Sequence, residues 1–253
     1  MVKKEKATSV YGLIGKNISY SFSKDYFNKK FASLNLEGLQ YKNFDFENIE
    51  DVEFFLKNIS SEIKGLNVTI PYKEAVMPFL DEISEDAQII GAVNCIEILP
   101  DGKKIGHNTD WIGFKNSLQP FLKTKGTKAM ILGTGGASKA VQFALKTLKI
   151  PFTIVSRTKS KSNYKTYDTI EEEQIKKHTL IINCTPLGTF PNIHSFPKIP
   201  FQYLDSKHIV FDLVYNPPMT SLMTKAAIQG AIIKNGYEML TIQAEENWKI
   251  WTK

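Results

Sequence analysis

Apolar and polar positions alternate with two different periods along the first hundred residues. The stretches SVYGLIG (9–15), LQYKNFDF (39–46) and IKGLNVTI (63–70) are short apolar or alternating runs that predict strands. Between and after them, SKDYFNKKFASLNL (23–36), NIEDVEFFLKNIS (48–60) and YKEAVMPFLDEI (72–83) carry helical spacing, the first with a serine cap. Strands that alternate with helices make parallel sheets with right-handed crossovers, so this segment predicts an α/β domain. GAVNCIEILPDGKKIGHNTD (91–110) reads as a hairpin turning at Pro100-Asp101-Gly102, which adds an antiparallel edge to that sheet.

The pattern then repeats in a second unit. WIGFKNSLQPFL, from Trp111, is a helix leading into it. KAMILGTGGASKAVQFALKTLKIPFTIVSRT (128–158) gives strand, glycine turn, helix and strand within the length of one βαβ unit. TLIINCT and HIVFDLVY predict short strands, MTSLMTKAAIQGAIIKNG a helix and a strand, and YEMLTIQAEENWKIWTK a terminal amphipathic helix. One stretch, PLGTFPNIHSFPKIPFQYL (186–204), is long, irregular and punctuated by proline, and long loops in compact domains tend to line sites.

Composition narrows the function classes. With 253 residues, 42% of them hydrophobic, the chain has ample material for a folded core. The net charge of +6 is spread along the whole chain without an aromatic-basic stripe, so no nucleic-acid partner is expected. A positive field suits a small anionic substrate or a phosphorylated cofactor. Cys95 and Cys184 stand far apart, and His107, His178, His194 and His208 show no ligand spacing, so neither a disulfide framework nor a metal site is expected. The basic N-terminus lacks the apolar run of a signal peptide, and no segment approaches the about 18 apolar residues of a membrane span. These features predict a soluble cytoplasmic protein.

Two groups of residues carry chemistry. Gly133-Thr134-Gly135-Gly136-Ala137-Ser138 lies between a predicted strand and helix, where a glycine loop lets backbone N–H groups approach a pyrophosphate. A tight turn would account for the glycines taken alone; the flanking strand, helix and second strand favour dinucleotide binding. That second strand ends in Ser156-Arg157-Thr158, where a site for NAD would carry an acid to bond the ribose 2′-hydroxyl. Arg157, with Lys161 close behind, instead offers cations to a 2′-phosphate, so the expected cofactor is NADP(H).

The other group is polar. In NVTIPYK (67–73) a strand end delivers Asn67, Thr69 and Lys73 to the carboxyl edge of a parallel sheet, where ligands bind. A turn with a surface lysine is the plainer alternative. Ser21 and Ser23 after the first strand, Asn94 on the hairpin and Asn108-Thr109-Asp110 at its close would be similarly placed. Singly each reads as a cap or turn residue; together they predict a polar pocket facing a dinucleotide site.

SYSFS, NVTIPYKE, GAVN, GHNTDWIGF, GTGGAS, SRT, NCTPLGTFP, DLVYNPPMT and NGYEMLTIQA resemble, in order and spacing, the motifs of the shikimate dehydrogenase family. The resemblance covers nearly the full length. It implies reversible NADPH-dependent reduction of 3-dehydroshikimate to shikimate, a small-molecule reaction of aromatic amino acid biosynthesis, by a monomer or homodimer. It implies Lys73 and Asp110 as a catalytic pair, and leaves open which of them transfers the proton. Ser21, Ser23 and Tyr215 would bind the substrate carboxylate, and Thr69, Asn94 and Gln243 its hydroxyls beside Lys73 and Asp110. Gly133, Gly135, Gly136, Ala137 and Ser138 would meet the pyrophosphate, and Ser156, Arg157, Thr158 and Lys161 the adenosine phosphate. Thr185, Leu187, Gly236 and Met239 would lie near the nicotinamide.

The architecture so implied is two α/β domains with a cleft between them. Residues 1–107 form the substrate-binding and catalytic domain, 108–232 a Rossmann-like NADP-binding domain, and 233–253 a terminal helix packing back on the first. Two departures stand out: Lys24 where the family has proline after the second serine, which predicts a looser turn, and Lys161 where the family has arginine, which predicts softer discrimination between NADP and NAD. Two rivals remain, an NAD-dependent quinate/shikimate dehydrogenase and a non-catalytic NADP-binding regulatory module. The missing acid after VSR argues against the first, and retention of both Lys73 and Asp110 against the second.

Overall fold

Our computed structural model describes residues 9–19, 21–122, 126–158 and 164–253. The chain divides into two compact units, Met1–Thr109 with Ala244–Lys253, and Asp110–Gln243.

In the first unit the elements run β1 (Ser9–Gly15), α1 (Phe22–Ser33), β2 (Leu39–Asp45), α2 (Ile49–Lys57), β3 (Ile63–Val68), β4 (Glu82–Ile83), α3 (Glu85–Ile90), β5 (Cys95–Ile98) and β6 (Lys104–His107). The sheet order is β2-β1-β3-β5-β6-β4. β1 pairs parallel with β2 and β3, while β5 is antiparallel to both β3 and β6. Period-2 alternation sorts β1 onto two cores: Val10 and Ile14 join Val52, Leu56 and Leu66 on one face, and Tyr11 and Leu13 join Phe27, Phe31, Tyr41 and Trp251 on the other. A bulge between Val10 and Tyr11 opposite β3 shifts the register there, which puts Ile63 on the same face as Leu66 despite its odd number.

Two expectations are corrected. The stretch 72–83 is not an α-helix but a run of turns ending in a 3-10 turn, Met77–Phe79. Pro78 has no N–H for a helical ladder, and Asp81 N and Ser84 N donate instead to Lys104 O (3.0 Å) and Gly106 O (2.8 Å), committing the chain to the sheet. The hairpin β5–β6 is present but is not the edge, because two-residue β4 pairs parallel outside β6. The six-residue α3, between β4 and β5, is too short to announce itself by periodicity.

The second unit comprises α4 (Asp110–Leu118), β7 (Ala129–Leu132), α5 (Gly136–Thr147), β8 (Phe152–Ser156), β9 (Tyr164–Thr166), α6 (Glu172–Lys177), β10 (Leu180–Asn183), β11 (Ile209–Asp212), α7 (Ser221–Ile228), β12 (Ile232–Lys234) and α8 (Tyr237–Trp251). The division between units falls within α8. Every strand pair is parallel, in the order β12-β11-β10-β7-β8-β9. Read along the sheet, this is the doubly wound pattern of dinucleotide-binding folds, with the first strand of the unit at the centre and later strands added on either side of it. β7, β10 and β11 are buried throughout, as a sheet covered on both faces requires. Short β9 and α6 are the two elements here that the sequence pattern does not predict.

One close approach holds the first unit's second core. A Cβ on Gly65 would lie 2.3 Å from Trp251 Nε1 and 2.4 Å from Cδ1, so the bare backbone of β3 is what lets the indole lie against the sheet. The ring is pinned there: Nε1 donates to Ile96 O at 3.0 Å, and Tyr11 and Phe27 pack at centroid distances of 5.1 and 5.5 Å. Gly65→Ala is therefore expected to lower stability by about 1–3 kcal/mol through overpacking. Urea unfolding followed by tryptophan fluorescence measures it, and an unchanged midpoint would show that the indole has somewhere else to go.

Candidate functional site

In the first unit the sheet gathers several chain segments at one edge. β1 and β3 run parallel, and past their carboxyl ends Thr69 N donates to Ile14 O at 2.9 Å and Lys16 N to Ile70 O at 3.3 Å. β5, antiparallel to β3, begins at this edge, so Val68 N reaches Asn94 O at 2.9 Å. Val93 N donates to Lys73 O at 2.7 Å, which ties the lysine's backbone to the start of β5, and β6 ends beside it, with Asn94 N donating to His107 O at 3.0 Å. Asn67, Thr69, Lys73, Asn94, Asn108 and Thr109 thus share one sheet edge, as the strand-end reading expects. Ser21 caps α1 after β1, its Oγ accepting from Ser23 N at 3.2 Å.

A chain of buried side-chain hydrogen bonds joins these residues. Tyr41 Oη donates to Asn67 Oδ1 at 2.6 Å, and Asn67 Nδ2 to Asn94 O at 3.2 Å. The Asn94 amide is held at both ends by one residue: Oδ1 accepts from Thr109 N at 2.7 Å, and Nδ2 donates to Thr109 Oγ1 at 3.0 Å. Thr109 Oγ1 in turn donates to Asn247 Oδ1 at 2.6 Å, and Asn108 Nδ2 donates to Ala92 O at 2.9 Å. Burial pushes the Tyr41 phenol well above its ordinary pKa, so it stays a neutral donor. The sequence reading singles out neither Tyr41 nor Asn247. A signal for Asn247 exists: it shares the buried face of α8 with Ala244 and Trp251, at helical spacing, where a polar residue needs a reason.

Of the remaining residues proposed to meet substrate, Lys73 and Thr69 are half-buried. Asp110 follows Thr109 directly, opens α4 and is only 5% exposed. Tyr215, half-buried beyond β11, and Gln243, on α8, belong to the second unit. Gln243 reads from sequence as an exposed helix residue apart from the resemblance; it is buried, with Nε2 donating to Leu240 O at 2.9 Å. Gly113 makes room for it, since a Cβ there would lie 2.6 Å from Met239 O and 3.2 Å from Gln243 Cβ.

In the second unit the strand order reverses between β7 and β10, the switch point at which ligands bind in such sheets. Gly133, just past β7, has φ +108°, and a Cβ on it would meet Thr185 Cγ2 at 3.0 Å. The turns after the two switch-point strands therefore close on each other. Gly135 caps α5 with no side chain, and no atom lies within 4 Å of where its Cβ would be. That open approach, at a helix N-terminus whose first N–H groups lack a side-chain cap, fits a dinucleotide pyrophosphate. Gly136 and Ala137 continue the turn into α5, and Ser138 is fully buried, accepting from Gln142 Nε2 at 3.2 Å.

β8 ends at Ser156, whose Oγ donates to Thr158 O, and Arg157 and Thr158 are exposed. Lys161 lies outside the described residues. Past β10, Asn183 Oδ1 accepts from both Thr185 N (3.0 Å) and Thr185 Oγ1 (2.7 Å), and Leu187 N donates to Thr185 Oγ1 at 3.3 Å. Behind them sits Asp212, which accepts from Asn183 Nδ2 at 2.9 Å, Val214 N at 3.1 Å and Thr220 Oγ1 at 2.6 Å. Burial holds its carboxyl above the ordinary pKa against the pull of those three donors. Gly236 must be glycine on steric grounds, because a Cβ would sit 2.0 Å from Leu213 O, and the Met239 side chain is buried in the apolar cluster around Phe114 and Phe211. Among the described residues there is no cluster of three or more metal-ligating side chains, and no helix is long and apolar enough to cross a membrane.

Residues 13–96 match the family of the shikimate dehydrogenase substrate binding domain. A shikimate dehydrogenase (NADP(+)) of Clostridium botulinum is 38% identical over 249 residues, covering 95% of each chain. The crystal structure of shikimate dehydrogenase 1 from Peptoclostridium difficile superposes with a TM-score of 0.85 at 36% identity, covering 96% of this chain and 91% of that one. That of shikimate 5-dehydrogenase from Thermus thermophilus, in complex with NADP(H) and shikimate, gives 0.85 at 28% identity, covering 97% and 94%. On this likeness, spanning both units and nearly the whole length, the chain belongs to the shikimate dehydrogenase family.

Proposed function

We propose that the protein catalyses the reversible, NADPH-dependent reduction of 3-dehydroshikimate to shikimate, as a cytoplasmic enzyme of aromatic amino acid biosynthesis. The observation that carries this reading is the shared sheet edge. It brings a half-buried lysine together with buried amides and a threonine hydroxyl, in a chain whose other unit has the dinucleotide-binding strand order and an open glycine turn.

Bound NADPH supplies the hydride for the ring ketone. The protein's part is to hold the substrate and to manage the charge that develops on the carbonyl oxygen. The Lys73 ammonium stabilises that oxygen as it becomes an alkoxide, and Asp110, buried at the start of α4, orients the ammonium and shares the proton with it. Ser21, Ser23 and Tyr215 bind the substrate carboxylate with neutral donors, and Thr69, Asn94 and Gln243 pair with its hydroxyls. A site built of so many hydroxyl partners rejects an analogue lacking one by roughly 10⁴-fold, because a buried polar group is then left unpaired.

On the cofactor side, Gly133, Gly135, Gly136, Ala137 and Ser138 approach the pyrophosphate. Arg157, with Ser156, Thr158 and Lys161, takes the 2′-phosphate. Thr185, Leu187, Gly236 and Met239 border the nicotinamide. Asp212 and Asn183 are added as the buried frame behind Thr185.

Lys73→Ala is expected to lower kcat for shikimate oxidation by about 10²–10⁴-fold with NADP binding unchanged, the usual worth of a positioned acid-base group. Absorbance at the nicotinamide band gives the rate and calorimetry the affinity; a variant that keeps more than a tenth of wild-type turnover would remove Lys73 from the chemistry. Arg157→Ala is expected to raise KM for NADP by about 10- to 100-fold, the loss of a charge-assisted hydrogen bond, and to leave KM for NAD unchanged. Comparing kcat/KM with the two cofactors checks this. A wild type faster with NAD, or an unaltered ratio in the variant, would favour the NAD-dependent quinate/shikimate dehydrogenase reading.

A further inference from the structure

Asn94 reaches the shared edge with its amide already oriented, and the orientation is set from behind. A flipped amide would point Nδ2 at Thr109 N, two donors facing each other at 2.7 Å, so Oδ1 must take that N–H and Nδ2 must face Thr109 Oγ1 at 3.0 Å. A hydroxyl has a single proton. For Oγ1 to accept from Asn94 Nδ2 along a free lone pair, its proton needs another acceptor, and Asn247 Oδ1 stands ready at 2.6 Å. Asn94 Oδ1 is a poorer acceptor for that proton, since it stands at 3.3 Å and already receives Thr109 N. The relay therefore has a direction, Asn94 to Thr109 to Asn247, and all three residues are at most 2% exposed.

We infer that Asn247, on the last helix, is a positioning residue for substrate binding: it draws the Thr109 hydroxyl proton toward α8 and so fixes the amide of Asn94 that meets a substrate hydroxyl. Asn247 itself touches no substrate. It acts through Thr109, which also immediately precedes Asp110 in the chain. Two facts support the inference. Asn247 occupies a core position of α8 between Ala244 and Trp251, where an apolar side chain would pack without the cost of burying an amide. Its bond to Thr109 is shorter than either bond between Thr109 and the Asn94 amide. Replacing it would remove the 2.6 Å acceptor of the Thr109 hydroxyl, which weakens the preorganisation of a binding group rather than the chemistry. The inference rests on the proposed contact between Asn94 and the substrate.

The test is steady-state kinetics of shikimate oxidation at saturating NADP for the wild type and for Asn94→Ala, Asn247→Leu, Thr109→Val and the Thr109→Val/Asn247→Leu pair. Asn247→Leu is expected to raise KM for shikimate by about 3- to 10-fold, with kcat and KM for NADP within about twofold. Thr109→Val, which keeps the shape and removes the hydroxyl, should do at least as much, and the double variant should be no worse than Thr109→Val alone, because both changes break one relay. A purely structural role would lower the melting temperature and move both KM values together, without that coupling. If Asn94→Ala raises KM for shikimate while Asn247→Leu and Thr109→Val leave it alone, the relay is overturned and the contact of Asn94 stands. If Asn94→Ala itself leaves KM unchanged, that contact fails and the inference falls with it. Should Asn247→Leu not fold, an unaltered KM in Thr109→Val alone overturns the proposal.

Discussion

A buried polar group must find a partner, and in the first unit this requirement fixes nearly everything at the sheet edge. Asn67, Asn94, Asn108 and Thr109 are at most 5% exposed, and an unpaired amide at such depth costs about 1–3 kcal/mol. Each side chain therefore constrains the next. Tyr41 fixes Asn67, Asn67 reaches the backbone of Asn94, Thr109 grips the Asn94 amide, and Asn247 takes the proton of Thr109. These residues come from β2, β3, the starts and ends of β5 and β6, and α8. The polar network so registers distant parts of the sequence against one another, where apolar contacts alone would tolerate small slips.

The same logic recurs in the second unit with a charge at its centre. Asp212 ends β11 and binds three donors from three places: the neighbouring strand β10, its own following turn, and Thr220 at the cap of α7. Its partner Asn183 holds both polar groups of Thr185. Because Gly133 can carry no side chain without meeting Thr185 and Cys184, the two turns flanking the switch point are set against each other by one buried carboxylate and one bare glycine. A loop placed this way keeps its shape before any ligand arrives, which is what hydride transfer between two bound molecules demands.

The long-range order of the fold was legible because its signals are long or chemically distinctive. β1, β3, β7 and β10 read as strands from continuous apolar runs, and the glycine turn before α5 marked a dinucleotide fold that the doubly wound strand order bears out. What escaped was short or set by distant pairing. Neither two-residue β4 nor three-residue β9 can show a period, and the helical spacing of 72–83 lost to Pro78 and to hydrogen bonds with β6, a distant partner in sequence. Among the residues proposed for the site, Lys73, Asn94 and Asp110 each read singly as a turn or cap residue, and only their grouping at strand ends, together with the family resemblance, pointed to a pocket. Asn247 and Asp212 carry weaker signals. Their importance lies in what they touch: Asn247 shows only as a polar residue on the buried face of α8, and a strand-end aspartate reads as ordinary until its partners are known.

The departure at Lys24 shows how such a site absorbs a change of residue. Proline in the first turn of a helix helps by fixing φ and by lacking an N–H that would have no intrahelical partner anyway. α1 obtains its start by another route: Ser21 accepts from Ser23 N and so caps the helix, which leaves residue 24 exposed in the first turn. A lysine there opposes the helix dipole by about 0.3–1 kcal/mol at most, a cost that solvent and salt reduce. In exchange it puts a positive charge one residue beyond the serine pair proposed to receive a carboxylate. The capping bond, rather than the identity of residue 24, is then what sets the geometry of that pair, and the charge adds attraction at longer range without entering the hydrogen-bond pattern.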